Sequence, residues 1–118
     1  MVNFRRQYKP VRNERRRDTR IEFHYPVVLL GIDDQAQILD FSLNGFHIEM
    51  QAQNNLVIGQ VVTLALRLPT DKQTLRIRAK VVYTDKKGIG CRFVDLGPSR
   101  QEKLERCFNV FNSTLPID

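Results

Sequence analysis

The sequence predicts an all-β fold with one helix: a six-stranded antiparallel β-barrel with a C-terminal α-helix and a flexible basic N-terminal arm. Two patterns lead to this prediction. Short segments alternate apolar and polar residues with a period of two, and the last segment changes to helical spacing. A length of 118 residues fits one hydrophobic core. We therefore expect one domain, with the arm at 1–20, the barrel at 21–97 and the helix at 98–113.

Six strands are predicted between turn-forming residues, at 21–30, 37–41, 46–50, 61–68, 75–83 and 89–94. The fifth strand shows the alternation over its whole length. Its apolar face is predicted to consist of Leu75, Ile77, Ala79, Val81 and Tyr83, and its polar face of Arg76, Arg78 and Lys80. Because a closed barrel leaves no strand edge unpaired, many short strands with turns between them favour a barrel.

The C-terminal segment has the features of an amphipathic helix. Ser99 and Glu102 have the spacing of a capping box, and Gly97 and Pro98 before them end the preceding strand. Apolar residues then follow at helical spacing, at Leu104, Cys107, Phe108, Phe111 and Leu115. This pattern predicts one helix of about three to four turns, packed on the barrel or across one of its mouths.

The net charge of +6 is concentrated at the N-terminus. Residues 1–20 hold eight basic and two acidic side chains, whereas residues 21–118 hold eleven of each. A basic arm on a neutral body is expected to bind an anion, such as a nucleotide, a nucleic acid, a membrane surface or an acidic partner. A solubilising tail would have the same composition, so charge alone leaves both interpretations open.

Several classes of protein are disfavoured. No apolar run approaches the ~20 residues of a transmembrane helix, and no apolar stretch follows the first basic residues as in a secretion signal. His24 and His47 are interpreted as lone strand histidines, structural or surface-exposed, and Cys91 and Cys107 as small buried hydrophobes. We therefore expect a cytoplasmic protein that is not an enzyme and uses neither a metal nor a cofactor.

Two motifs can bind a nucleotide. Arg16 and Arg20 form an RxxxR pair with Arg15 directly before it. A guanidinium can hold a phosphate or the O6/N7 edge of guanine with two parallel hydrogen bonds, and its plane can stack on a base. In so basic a stretch the spacing alone is weak, since Arg12 and Arg16 fit it as well.

The second motif is DxSxxG, formed by Asp40, Ser42 and Gly45. The carboxylate of Asp40 could accept from the N1–H and N2–H₂ donors of guanine. The Ser42 hydroxyl can donate or accept nearby, and Gly45 permits a left-handed turn and a close backbone approach. The alternative interpretation is a structural Asx or Ser turn that joins two strands.

Together the two motifs resemble those of the PilZ domain, the bacterial receptor module for cyclic di-GMP. Residues 13–20, NERRRDTR, are similar to the ERRxxxR opening of that family, and residues 88–96, GIGCRFVDL, to its closing barrel strand. The resemblance covers about residues 13–112 and implies a stand-alone PilZ domain. The fold that it implies, a six-stranded barrel with a C-terminal helix, agrees with the pattern above.

The resemblance also implies roles for particular residues. The arm would fold over the barrel so that Arg16 and Arg20 clamp phosphates and guanine edges, while the DxSxxG residues bind a guanine. Arg15 is at the position that influences stoichiometry, and an arginine there is similar to members that bind an intercalated ligand dimer. Tyr83 is where some members place an aromatic ring against a base, although its alternation with Val81 is equally compatible with the core.

The predicted function is that of a monomeric cyclic di-GMP receptor, whose arm becomes ordered on ligand binding and which then signals to a partner protein. One alternative is a basic barrel that binds RNA or single-stranded DNA. Arg76, Arg78 and Lys80 favour it, and the lack of an evident run of exposed aromatic residues disfavours it. Another alternative is a PilZ adaptor without ligand binding, against which the intact motif residues argue.

Overall fold

The computed structural model describes residues 19–32, 34–51 and 56–113. It confirms the predicted fold class, with six strands and one helix in the described part of the chain. The elements are β1 (Ile21–Leu29), β2 (Ala36–Phe41), β3 (Gly45–Met50), β4 (Val61–Leu66), β5 (Leu75–Thr84), β6 (Gly88–Val94) and α1 (Gly97–Ser113). Residues 1–18 of the predicted arm lie outside the described residues, as does Leu115.

The six strands form a closed antiparallel barrel in the order β1-β2-β3-β6-β5-β4. Pairing of Val28 on β1 with Ala65 on β4 closes the ring, so that each of these strands has a neighbour on both sides. β3 pairs with β6 although β4 and β5 come between them in the sequence. This arrangement makes β2, β3, β6 and β5 four consecutive strands of the barrel wall.

The barrel interior is filled by the apolar residues that alternate along each strand. On β3, Phe46 and Ile48 are completely buried, whereas Glu49 is exposed. β4 ends at Leu66, earlier than predicted, but Leu68 still contributes to the core. Because alternate side chains on a strand point to opposite faces, the apolar residues converge inside and the polar residues remain outside.

The helix packs its predicted apolar face against the barrel. Leu104, Cys107 and Phe108 are buried, and the Phe108 ring meets that of Phe41 edge-on with 5.4 Å between centroids. A second edge-on pair, Phe23 and Phe111, has its centroids 5.0 Å apart. Offset or edge-on aromatic pairs stabilise beyond the area they bury, so these rings attach the helix to β1 and β2.

The helix starts one residue before the predicted bound at 98, and the predicted cap at Ser99 is wrong. The helix begins at Gly97, whose φ is +76°, and Pro98 occupies its first turn. Proline is favoured there because the first amides of a helix have no intrahelical acceptor and its φ is already helical. Ser99 therefore lies inside the first turn rather than at the cap. At 17 residues the helix is also longer than predicted, at about 4.7 turns.

Two bulges alter the alternation near the ends of β2 and β5. The β2–β3 register shifts between Ile38 and Asp40, and the β5–β6 register shifts between Val81 and Tyr83. A bulge inserts one extra residue, so the next side chain changes face. The predicted placement of Tyr83 on the same face as Val81 is therefore wrong: Val81 is buried, whereas Tyr83 is 41% exposed.

Candidate functional site

A row of outward-facing residues crosses four adjacent strands of the barrel. Asp40 on β2 pairs with His47 on β3. Gly90 on β6 pairs with His47 on one side and with Tyr83 on β5 on the other. We call Asp40, His47, Gly90 and Tyr83 the outer row. Since directly paired residues on one face lie within contact distance, the outer row places a carboxylate, an imidazole and a phenol side by side.

Arg20 lies next to the outer row, immediately before β1. Its Nη1 donates to Oδ1 of Asp40 at 2.5 Å, and both side chains are partly exposed. The β1–β2 ladder brings the two residues together, because Glu22 pairs with Asp40. An exposed ion pair of this kind stabilises a fold by ~1 kcal/mol or less. Its main consequence is therefore local: it joins the end of the basic arm to the first residue of DxSxxG.

His47 lies between two carboxylates. Its Nδ1 is 3.4 Å from Oδ2 of Asp40, and its Nε2 is 3.2 Å from Oδ2 of Asp85. The imidazole is only 17% exposed, so water has limited access to these contacts. Asp40 therefore has a cationic or dipolar partner at each oxygen: Arg20 at Oδ1 and His47 at Oδ2.

Asp85 is held by the turn that joins β5 to β6. Its Oδ1 accepts from the backbone N–H groups of Lys87 and Gly88, at 2.9 Å each. The hydrogen bond from the Gly88 N–H is the largest influence on Asp85 and lowers the pKa of its carboxyl, with the Lys87 N–H and His47 acting in the same direction. Oδ1 thus secures the turn while Oδ2 contacts His47.

Tyr83 lies over Gly90 and against His47. A Cβ atom on Gly90 would collide with the Tyr83 ring, so the absence of a side chain there makes room for the ring. The Tyr83 and His47 rings have centroids 5.8 Å apart and are tilted by 53°. Partial burial raises the pKa of the Tyr83 phenol. The ring therefore offers a neutral aromatic surface near physiological pH, partly open to a ligand.

Ser42 and Gly45 build the turn that follows Asp40. The Ser42 hydroxyl is completely buried and accepts from the backbone N–H groups of Asn44 and Gly45, at 3.1 and 3.2 Å. The left-handed turn predicted at Gly45 is wrong, since its φ is not positive. Its close backbone approach is to β6, because a Cβ there would collide with the carbonyl oxygen of Cys91. These contacts match the structural interpretation of the motif, a Ser turn between two strands.

The predicted site residues therefore fall into three groups. Arg20, Asp40 and Tyr83 lie on or beside the outer row. Ser42 and Gly45 are buried in the turn that follows Asp40. Arg15 and Arg16 lie outside the described residues.

Sequence reasoning missed the contacts of His47 and overlooked Asp85. His47 has no ligand-type neighbour at short spacing, and its two carboxylate partners come from β2 and from the β5–β6 turn. The turn sequence Asp85-Lys86-Lys87-Gly88 contains a signal for Asp85, because aspartate at the start of a turn commonly accepts from the amides that follow. No comparable local signal exists for His47.

Both cysteines are buried, as predicted, and free of disulfides. Burial raises the pKa of the Cys91 thiol to about 12, and burial also raises that of Cys107. Within the described ranges, no cluster of three or more His, Cys, Asp or Glu side chains could hold a metal ion. Over the same residues, no helix combines the length and the apolarity needed to cross a bilayer.

The fold is a small closed antiparallel barrel packed against one C-terminal helix. Comparisons with known proteins show its family. The family model described as "PilZ domain" matches residues 14–109, and the chain therefore belongs to the PilZ domain family. The family is associated with cyclic di-GMP, and its members are generally receptors or adaptors rather than catalysts.

One similar solved structure is that of the Bacillus subtilis inhibitor of motility, MotI/DgrA. It superposes with a TM-score of 0.70 at 16% sequence identity, over 86% of this chain and 53% of the other. The chain thus spans about half the length of that protein, and the likeness shows a shared fold. No curated protein matches the sequence.

Proposed function

We propose that the protein is a cyclic di-GMP receptor that binds its ligand at the outer row. The observation that carries this proposal is the contact between Arg20 and Asp40, in a chain that belongs to the PilZ family. The contact brings the second arginine of RxxxR and the first residue of DxSxxG to one place on the barrel. Neither motif alone distinguishes a ligand site from a basic tail or a structural turn.

Asp40 is the proposed guanine-binding carboxylate. Each carboxylate oxygen has two lone pairs, so Oδ1 can accept a second hydrogen bond beside that from Arg20, and Oδ2, 3.4 Å from Nδ1 of His47, can accept as well. The N1–H and N2–H₂ groups of guanine supply two such donors side by side. Adenine lacks this pair of donors, and the proposal therefore includes selectivity for guanine.

Arg20 and Tyr83 provide the surfaces around that carboxylate. A guanidinium carries five N–H donors in one plane, so Arg20 can hold a phosphate or a guanine edge while Nη1 contacts Asp40. The partly exposed ring of Tyr83 offers a face on which a base can stack. Ser42 and Gly45 would act indirectly, by shaping the turn that presents Asp40.

The remaining arginines are proposed to complete the site from the arm. Arg15 and Arg16 would bind phosphates, and Arg15 would favour a pair of intercalated ligand molecules. Repulsion among the arm cations opposes docking on the barrel until an anion with two phosphates offsets it. Ligand binding would thereby order the arm and change the surface offered to a partner protein.

Isothermal titration calorimetry with cyclic di-GMP tests the proposal and gives the stoichiometry. Arg20→Ala and Asp40→Ala should each weaken binding by at least about tenfold, since each removes a charge-assisted hydrogen bond. Arg106→Ala is a matched control, because Arg106 is an exposed helix residue that pairs with Glu102. Cyclic di-AMP should bind much more weakly than cyclic di-GMP. Absence of cyclic di-GMP binding by the wild type would overturn the proposal.

A further inference from the structure

His47 contacts both Asp40 and Asp85 through its two ring nitrogens, which lie 3.4 and 3.2 Å from their respective carboxylate oxygens. These three groups come from β3, β2 and the β5–β6 turn, and they meet because β3 pairs with β2 on one side and with β6 on the other. The imidazole is largely enclosed. It links the proposed guanine-binding carboxylate to a turn anchored by backbone hydrogen bonds.

The hydrogen-bonding capacity of imidazole restricts what this arrangement can be. An ionised carboxylate only accepts, whereas a neutral imidazole has one donor and one acceptor. A neutral His47 can therefore donate to Asp40 or to Asp85, but not to both. Only the doubly protonated ring satisfies both contacts at once.

We propose that His47 is a positioning residue that holds the Asp40 carboxylate in the orientation required to bind guanine, and that Asp85 in turn orients His47. This inference rests on the proposed function. Asp40 would otherwise rotate about its side-chain bonds, with Arg20 as its described partner at one oxygen only. At the other oxygen, the His47 ring, with Nδ1 3.4 Å away, would limit this rotation and leave the remaining lone pairs directed outward, where the guanine edge would approach.

The groups facing His47 come from three parts of the fold. They are Asp40 from β2, Asp85 from the turn after β5 and Tyr83 from β5, with Arg20 acting through Asp40. Gly90 of β6 contributes no side chain. His47 therefore contacts the proposed ligand site through Asp40 and the β5–β6 turn through Asp85.

Two substitutions of His47 separate the two contacts. The amide nitrogen of asparagine can replace the Nδ1 donor that faces Asp40, whereas that of glutamine can replace the Nε2 donor that faces Asp85. His47→Gln should weaken cyclic di-GMP binding by about 5- to 10-fold, the loss expected for one net hydrogen bond. His47→Asn should retain more affinity than His47→Gln, because it keeps a donor toward Asp40. Asp85→Asn should weaken binding by a smaller factor.

His24→Gln is the matched control. His24 lies on β1, where its ring contacts the exposed Gln37, so its replacement should leave the affinity for cyclic di-GMP unchanged. Thermal unfolding of each variant identifies losses caused by misfolding, and affinities are compared only among folded proteins. If wild-type protein binds and all His47 and Asp85 variants match it, the positioning role is wrong while the proposed function stands. Equal losses in His47→Asn and His47→Gln would also overturn it, and absence of wild-type binding would overturn both proposals.

Discussion

The Tyr83 ring lies against Gly90 so closely that a methyl group on this glycine would collide with the ring. The two residues are directly paired across β5 and β6, one register step beyond a bulge. The bulge turns the tyrosine outward, and the glycine gives it a flat surface on which to lie. Tyr83 is thereby placed beside His47 rather than in the core.

Replacement of Gly90 by alanine should displace Tyr83 without unfolding the barrel. The atoms in the way belong to a side chain at the surface, which can rotate, so the free energy of unfolding should change by about 1 kcal/mol or less. If Tyr83 stacks on a base, affinity for cyclic di-GMP should fall by a factor similar to that of Tyr83→Ala. In the double variant the two losses should not add, because both act through one ring. Additive losses measured by calorimetry would contradict this mechanism.

Gly45→Ala should have a different effect, on stability. The obstructing atom is the backbone carbonyl oxygen of Cys91, which is fixed by the β3–β6 ladder. We expect the free energy of unfolding in urea to decrease by about 2 kcal/mol or more. Leu43→Ala, an exposed change in the same turn, should cost less than about 0.5 kcal/mol. Similar stabilities for the two variants would show that β3 and β6 can separate easily.

Ser42→Ala should destabilise the protein even without ligand. The substitution leaves the buried N–H of Gly45 and the partly buried N–H of Asn44 without their side-chain acceptor, at an expected cost of about 1–3 kcal/mol. Ser99→Ala is the comparison, because Ser99 is exposed inside the first turn of the helix and does not begin it. Ser99→Ala should change the free energy of unfolding by less than about 0.5 kcal/mol. A Ser42→Ala protein as stable as the wild type would show that these two hydrogen bonds contribute little to the stability of the turn.

Asp85 should contribute stability that depends on pH. The folded state lowers the pKa of its carboxyl, so the contribution is present above the unfolded pKa, near 4, and is lost as the pH falls through the lower folded value. Asp85→Asn should thus lower the free energy of unfolding at pH 7 but leave it unchanged at about pH 2 to 3. Glu102→Gln, at an exposed helix position, is the control. A constant difference between wild type and Asp85→Asn across this range would show that the carboxylate charge is not responsible.

The two cysteines should be unreactive in the folded protein. Burial raises the pKa of Cys91 to about 12, and the thiolate is the reactive species. Titration with a thiol reagent at pH 8 should detect almost no fast reaction in native protein, and both thiols after unfolding in urea. Rapid modification of one thiol would indicate local opening of β6 or of the helix.

Much of the fold follows from local pattern. The period-two alternation on β3 and β5 predicts the buried face correctly up to Val81, and the helical spacing of Leu104, Cys107 and Phe108 predicts the face that packs on the barrel. The concentration of basic residues in the first 20 positions and the turn at Ser42 can be identified in the same way. Each of these features depends on residues that are close together in the sequence.

Which outward-facing residues meet depends on long-range strand pairing. The bulges before Asp40 and Tyr83 depend on how a strand pairs with its neighbour, so period-two alternation does not reveal them. Pairing of β3 with β6 brings the β5–β6 turn beside β3 and thereby places His47 between Asp40 and Asp85. Which segments form the barrel, and where its charge lies, follow from local pattern and composition. The register between strands, which long-range pairing sets, determined the geometry of the candidate site.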